Sequence, residues 1–289
     1  MLPSQVILPR QTTHETRAVL GVCVSRDIQV TRANLEELPV HAPSLRAGSA
    51  LPVGSVEYLR QAMDVAGLTE PENLSYHPSV RPFLRRPIHN WLAGELRAIP
   101  IPRPIFVKPA QTKLFTGFVL VPGQAAESYS LADQEAFHAY LSAPDEQVLW
   151  TSPNMPFVSE WRYYVMDGAV LGASRYDPDG SDNAPEPDPT VVQQAVQAAW
   201  TALNHPFALD MGVHAATGKT AVVELNDAWA IGLWGADARA PRPADYTSFL
   251  WARWLHMHTL QTDQRRAEAG SIVCDLLTAP LARSRQMGW

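Results

Sequence analysis

Two short apolar stretches, ALDMGV (208–213) and TAVVELND (220–227), carry three oxygen-bearing side chains between them. Both are rich in β-branched and alternating residues and read as strands of a hairpin. Alternation along the second puts Val222, Glu224 and Asn226 on one face, with Val223 and Leu225 on the other. Asp210, on the partner strand, completes an Asp, Glu, Asn set. Hard oxygen donors of this kind suit Mg²⁺, which favours carboxylates, water and phosphate oxygens in octahedral array, and they do not suit soft metals. The plainer alternative is a row of polar residues on a solvated strand face.

Other charged residues sit where charge is costly. Lys108 ends the otherwise apolar strand PIFVKPA (104–110), where a buried ammonium needs an anion and a phosphate is one candidate. Lys113, Thr116 and Gly117 follow in KLFTG, a turn short enough to close over a bound group or to be an ordinary hairpin with solvated lysines. SEWRYYV (159–165) puts Glu160 and Arg162 on one strand face, and Arg175 lies on the return strand. Two arginines facing one cleft would hold a phosphate or carboxylate by forked contacts; the alternative is a surface pair between Glu160 and a neighbouring arginine.

One segment imitates a phosphate loop. GVHAATGKT (212–220) has five residues between Gly212 and Gly218, where the G-x-x-x-x-G-K-[ST] pattern has four, and both flanks are β-like. A phosphate loop opens a helix; this one opens a strand, so it reads as a hairpin tip around Thr217 and Gly218.

The elements that must position these residues follow from the pattern. AVLGVCV (18–24) reads as a buried strand, SVEYLRQAMDVAGL (55–68) as a helix, and SLADQEAFHAYLSA (130–143) as a helix with a serine cap. FTGFVLV (115–121), VLW (148–150) and the hairpin over 158–176 read as strands. TVVQQAVQAAWTALN (190–204) and YTSFLWARWLHMHTLQ (246–261) read as helices, separated by the ligand-bearing hairpin. The 289 residues, 46% of them hydrophobic, suffice for two or three lobes around a cleft. The net charge of -6 argues against general affinity for nucleic acid or an anionic membrane. No apolar run spans a bilayer and the start lacks a signal-type core, so a cytoplasmic protein is expected. Cys23 and Cys274 are too far apart in sequence for a zinc knuckle or redox pair and read as buried small apolar residues.

The order of the pieces is more specific than any one of them. A strand with FVKPA, a glycine turn, SEWRYYVMDGAVLGASRY, a helix, ALDMGV and VVELND together resemble the ATP-grasp superfamily over about residues 100–235, most closely a short bacterial and phage branch. The resemblance implies an α+β fold of two lobes clasping a nucleotide behind a small N-terminal α/β lobe. The lobes would cover 1–98, 99–150 and 151–289, the first receiving substrate. It implies ATP and Mg²⁺ as cofactors, with Lys108, Lys113, Thr116, Gly117 and Glu160 on the nucleotide. Trp150, Thr151 and Ser152 would form the adenine hinge, and Asp210, Glu224 and Asn226 would hold the metal. Arg162 and Arg175 would stabilise the transferring phosphoryl group. The implied activity is a carboxylate–amine ligase working through an acyl phosphate on small-molecule or peptide substrates. A kinase-like phosphotransferase and a non-catalytic nucleotide-binding module stay open, as does a homodimer.

The hairpin reading ranks two lysines. Lys219→Ala is expected to leave ATP affinity unchanged, whereas Lys108→Ala should weaken it by about 1 to 3 kcal/mol, measured by calorimetric titration. A phosphate loop at 212–220 would give the reverse ranking.

Overall fold

The computed structural model describes residues 2–177, 184–235 and 239–278; the side chains of residues 230 and 264–278 lie outside that description. Three sheets organise it. The first is parallel, ordered β2-β1-β3 from β1 (Gln5–Leu8), β2 (Gln29–Arg32) and β3 (Ala50–Pro52), and it carries α1 (His14–Ser25), α2 (Ala42–Arg46) and α3 (Val56–Ala66). The second is antiparallel, ordered β4-β7-β5-β6 from β4 (His89–Leu92), β5 (Ile105–Pro109), β6 (Phe118–Leu120) and β7 (Val148–Pro153). Its core is closed by α4 (Ala93–Ala98) and α5 (Leu131–Ser142) around Phe118 and Tyr140.

The third sheet, also antiparallel, is ordered β11-β10-β8-β9 from β8 (Phe157–Met166), β9 (Ala169–Arg175), β10 (Phe207–His214) and β11 (Thr220–Asp227). One face buries Phe207, Leu209, Met211 and Leu225 against α6 (Pro189–Leu203). The other presents Tyr164 edge-on to Tyr246 and Phe249 of α7 (Pro243–Thr278), at 6.2 and 5.8 Å. That second face shares a core with the first sheet, so α7 is the spacer between them. No helix among the described residues is long and apolar enough to cross a membrane.

Several sequence expectations need correction. AVLGVCV is the body of α1 and not a strand. Thr13 and Thr16 form a reciprocal cap, Thr13 N–H donating to Thr16 Oγ1 at 2.8 Å, and Thr16, Val19, Val22 and Cys23 are buried at helical spacing while Val24 is 77% exposed. The buried strand is QVIL at 5–8, four residues too few to show a period. Cys23 is buried as expected; the side chain of Cys274 lies outside the described residues. β4 and α4 precede the expected boundary at 98 yet belong to the second sheet, and β7 crosses the expected boundary at 150. The 212–220 segment is the tip between β10 and β11: Gly218 N–H donates to His214 O at 2.9 Å, and Lys219 is exposed.

A bulge decides which way β11 faces. Asp210 is opposite Glu224 but Met211 is opposite Val222, so Val223 is the extra residue and Val222 turns into the core, away from the face of Glu224 and Asn226. β11 is an edge strand, and its outer carbonyls are capped by arginines from the loop before β4. Arg86 donates to Val222 O at 2.9 Å and Val223 O at 2.8 Å, and Arg85 donates to Thr220 O at 2.6 Å. Ser75 O accepts from Leu225 N–H at 3.1 Å. Arg86→Ala strands the bulge carbonyls and is expected to lower unfolding free energy by about 2 to 3 kcal/mol in urea titration. An unchanged urea midpoint would mean that water caps the bulge equally well.

Candidate functional site

Where the second and third sheets face each other, the ends of β5, β8, β10 and β11 bring five polar side chains together. Arg162 grips Asp210 with a forked pair, Nε to Oδ1 at 2.8 Å and Nη2 to Oδ2 at 2.7 Å. Asn226 Nδ2 donates to Asp210 Oδ2 at 2.9 Å and to Glu224 Oε1 at 3.1 Å, so the three oxygen-bearing residues meet at one point. Lys108 reaches across from the other lobe to pair with Glu224, and donates to Ser75 Oγ at 2.7 Å. Asp210 is fully buried beneath Arg162, which keeps 10% exposure, whereas the Lys108 and Glu224 side chains keep 16% and 22%, so the second pair is the more open to the cleft.

The charges are mutually sustained. Burial opposes ionisation of Glu224, but the Lys108 ammonium outweighs it and holds the carboxyl well below the usual carboxylate range. Burial likewise opposes the Lys108 charge, and Glu224 raises it above its ordinary value. For Asp210, burial pushes the carboxyl upward against the pull of Arg162, while Arg162 itself is held above its ordinary value by Asp210. The forked contact makes this a buried ion pair. For Lys113, burial and the nearby Arg162 lower the ammonium and outweigh the pull of Glu224 and Glu57.

The cleft holds a cavity of about 540 Å³ whose walls include Lys108, Lys113, Thr116, Gly117, Glu160, Glu224 and Asn226. Lys113 rides a turn pinned by Arg60, which donates to Thr112 O at 2.6 Å. Gly117 is needed for close approach: a Cβ there would meet Phe106 Cζ at 2.3 Å. Glu160 lies between this cavity and a smaller one, and burial raises its carboxyl against a hydrogen bond from Tyr176.

Two expectations do not fit the geometry. Arg175 is opposite Trp161, not Arg162, so it shares the opposite face of the sheet and is engaged by Asp177 through two contacts of 2.7 Å. Trp150, Thr151 and Ser152, expected as the adenine hinge, do not share one environment. Thr151 is opposite Val107 and turns to the closed side of the second sheet, and Trp150 packs edge-on against Tyr76 at 5.1 Å. Only Ser152 of the three lines the smaller cavity, about 280 Å³, with Phe106, Asn154, Met155, Phe157 and Val223. VLW alone is too short to show the alternation that runs along VLWTSP.

Sequence reasoning missed Ser75, Tyr76, Arg86 and Tyr176. The first three lie in a proline-broken loop without period. The usable signal was the Arg85–Arg86 doublet beside apolar Phe83 and Leu84, two charges with no solvated helix face to occupy. Tyr176 sits just past β9, where Arg162 lies over its ring at 5.1 Å.

The donors suit a hard cation. Among the described residues no three His, Cys, Asp or Glu side chains cluster, so the set here is two carboxylates and the Asn226 amide, whose oxygen occupies the same locus on rotation. Cationic Lys108 and Arg162 beside them can meet phosphate oxygens, and the apolar smaller cavity can take a flat ring.

Comparison with known proteins identifies the family and the fold. The model of an ATP-grasp domain family, the second family of its clade, matches residues 83–241, more than half of the chain. Among solved structures, D-alanine–D-alanine ligase from Bacillus anthracis complexed with ATP is similar at 13% identity, covering 93% of this chain and 100% of that one with a TM-score of 0.50. A RimK domain ATP-grasp protein from Sphaerobacter thermophilus is similar at 15% identity, 85% and 99% coverage and 0.50. Macrocyclase MdnC from Microcystis aeruginosa, bound with precursor peptide MdnA, is similar at 9% identity, 85% and 99% coverage and 0.50. No curated protein matches. At these identities the structures establish the α+β ATP-grasp fold, and the family supports an ATP-dependent ligase. On the match over β4 to β11 and the shared fold, this chain belongs to that family of ATP-grasp domains.

Proposed function

We propose that the chain is an ATP- and magnesium-dependent ligase that activates a carboxylate as an acyl phosphate and passes the acyl group to an amine. The observation that carries it is the convergence of Asp210, Glu224 and Asn226 on one point beside Lys108 and Arg162. Lys108, already in the cleft, can exchange Glu224 for a phosphate oxygen. That exchange leaves Glu224 short of a cation. A triphosphate also brings more negative charge than Lys108, Lys113 and Arg162 neutralise while serving two carboxylates, which is the physical reason for a divalent ion held by Asp210, Glu224 and Asn226. Bound there, Mg²⁺ supplies charge neutralisation at the transferring phosphoryl group.

The chain's own residues do the remainder. Arg162 is fixed by Asp210 with its guanidinium over Tyr176, so its positive charge is preorganised. Thr116 and Gly117 close over the phosphates, and Glu160 meets the nucleotide where the two cavities join. Phe106, Met155 and Phe157 enclose the base. A carboxylate oxygen attacks the γ-phosphorus and ADP leaves; the amine then attacks the acyl carbon, phosphate leaves, and the nitrogen gives up its proton. Positioning and charge stabilisation suffice, with no protein nucleophile.

An ADP-release screen over carboxylate and amine pools with Mg²⁺ tests the reading, and ADP formation is expected to require both co-substrates. A stable phosphorylated product without amine dependence would make the chain a phosphotransferase, and nucleotide binding without turnover a binding module. Glu224→Gln is expected to cut turnover by at least about 100-fold.

The same variant has a pH signature. Because the folded carboxyl of Glu224 lies below its unfolded value of about 4.3, its contribution to stability is present above that pH and lost as pH falls through the folded value. Glu224→Gln is therefore expected to be less stable than the parent at pH 7 in urea unfolding, with the gap narrowing below about pH 4. A gap independent of pH would mean that Glu224 is held neutral.

A further inference from the structure

A second cavity, about 360 Å³, lies between the first sheet and α7 and adjoins the nucleotide cleft, since Lys113 and Trp229 line both. Leu51, Val53 and Leu59 form one wall and Leu250, Trp254 and Met257 the other. Glu15, in the first turn of α1, is the acidic group set against these walls. It makes no hydrogen bond or ion pair among the described residues. Its carboxylate lies beside Gly232, where a Cβ would come within 2.9 Å of Glu15 Oε1. Glu57 is a second carboxylate at the exposed rim, and among the described residues Lys113, at the passage to the cleft, is the only cationic side chain lining the cavity.

An apolar bowl with an unshared carboxylate selects a cation with an apolar body and repels an anion. We propose that this cavity binds the amine co-substrate, and that its class is a primary amine carrying a bulky apolar group, with Glu15 holding the ammonium. The proposal rests on the ligase reading, because only there does an amine need a place beside the phosphates. The carboxylate co-substrate belongs on the Lys113 side of the passage, where the positive charge lies.

Calorimetric titration of the full chain with Mg-ADP present tests it, using phenethylamine, 3-phenylpropionate and methylamine as probes. Phenethylamine is expected to bind at least about tenfold more tightly than either of the others. Glu15→Gln should weaken phenethylamine by about tenfold or more and leave 3-phenylpropionate no weaker. Val56→Trp, which fills the cavity from its rim, should abolish phenethylamine binding, and both variants should keep the parent affinity for Mg-ADP, which shows that they are folded. Equal binding of phenethylamine and 3-phenylpropionate, or phenethylamine binding indifferent to Glu15→Gln, would overturn the assignment. Failure of the ligase reading looks different: the amine binds through Glu15, yet ADP release depends on neither amine nor carboxylate.

Discussion

The fully buried carboxylate of Asp210 constrains everything around it. A charge with no access to water is tolerable only when matched, and the match is Arg162 from the neighbouring strand, gripping both oxygens. That pair fixes the register between β8 and β10, since Asp210 and Arg162 are direct cross-strand partners. Removing one partner would leave the other charged and dry. The more accessible Lys108–Glu224 pair is built on top of it and is the bond that joins the two lobes.

β11 is held from both sides for the same purpose. On its outer edge Arg85 and Arg86 cap the carbonyls around the bulge, and the bulge separates Val222, which faces the core, from Glu224, which faces the cleft. At its end Asp227 is gripped by Arg253 of α7, at 2.7 and 2.6 Å, and accepts the N–H of Trp229 at 3.1 Å. Arg253 also bonds His256, whose ring lies 5.1 Å from that of His205. Burial drives His205 down to about 4, so it sits neutral beside the guanidinium. The long helix α7 thus anchors β11 as well as spacing the first sheet from the third.

The third sheet divides its labour by face. Phe207, Leu209, Met211 and Leu225 bury one side against α6, while Arg162, Asp210, Glu224 and Asn226 occupy the other, with Tyr164 and Ala208 continuing that side into the core under α7. The polar patch is therefore a small interruption in an otherwise apolar sheet. Cavities on both flanks of the patch meet near Lys113, so a group held in one lies close to a group held in the other.

Much of this was legible in the chain. That Glu224 and Asn226 share a face follows from a period of two, and the lysine ending an apolar strand follows from the cost of burying an ammonium. Local rules also assigned α3, α5 and α6 through their caps and spacing, and separated the 212–220 hairpin from a phosphate loop. What failed were readings that depend on partners far along the chain. A helix and a buried strand look alike over the seven apolar residues of AVLGVCV until Thr13 and Thr16 are seen to cap each other. Arg175 has the right residue type, but its side is set by pairing with Trp161, and a one-position difference in register reverses the face. The same sensitivity separates Thr151, which turns to the closed side of the second sheet, from Trp150 and Ser152 on either side of it. The bulge at Val223, the arginine caps and the salt bridge between lobes exist only after folding, because each joins segments tens of residues apart whose sequences carry no mark of the other.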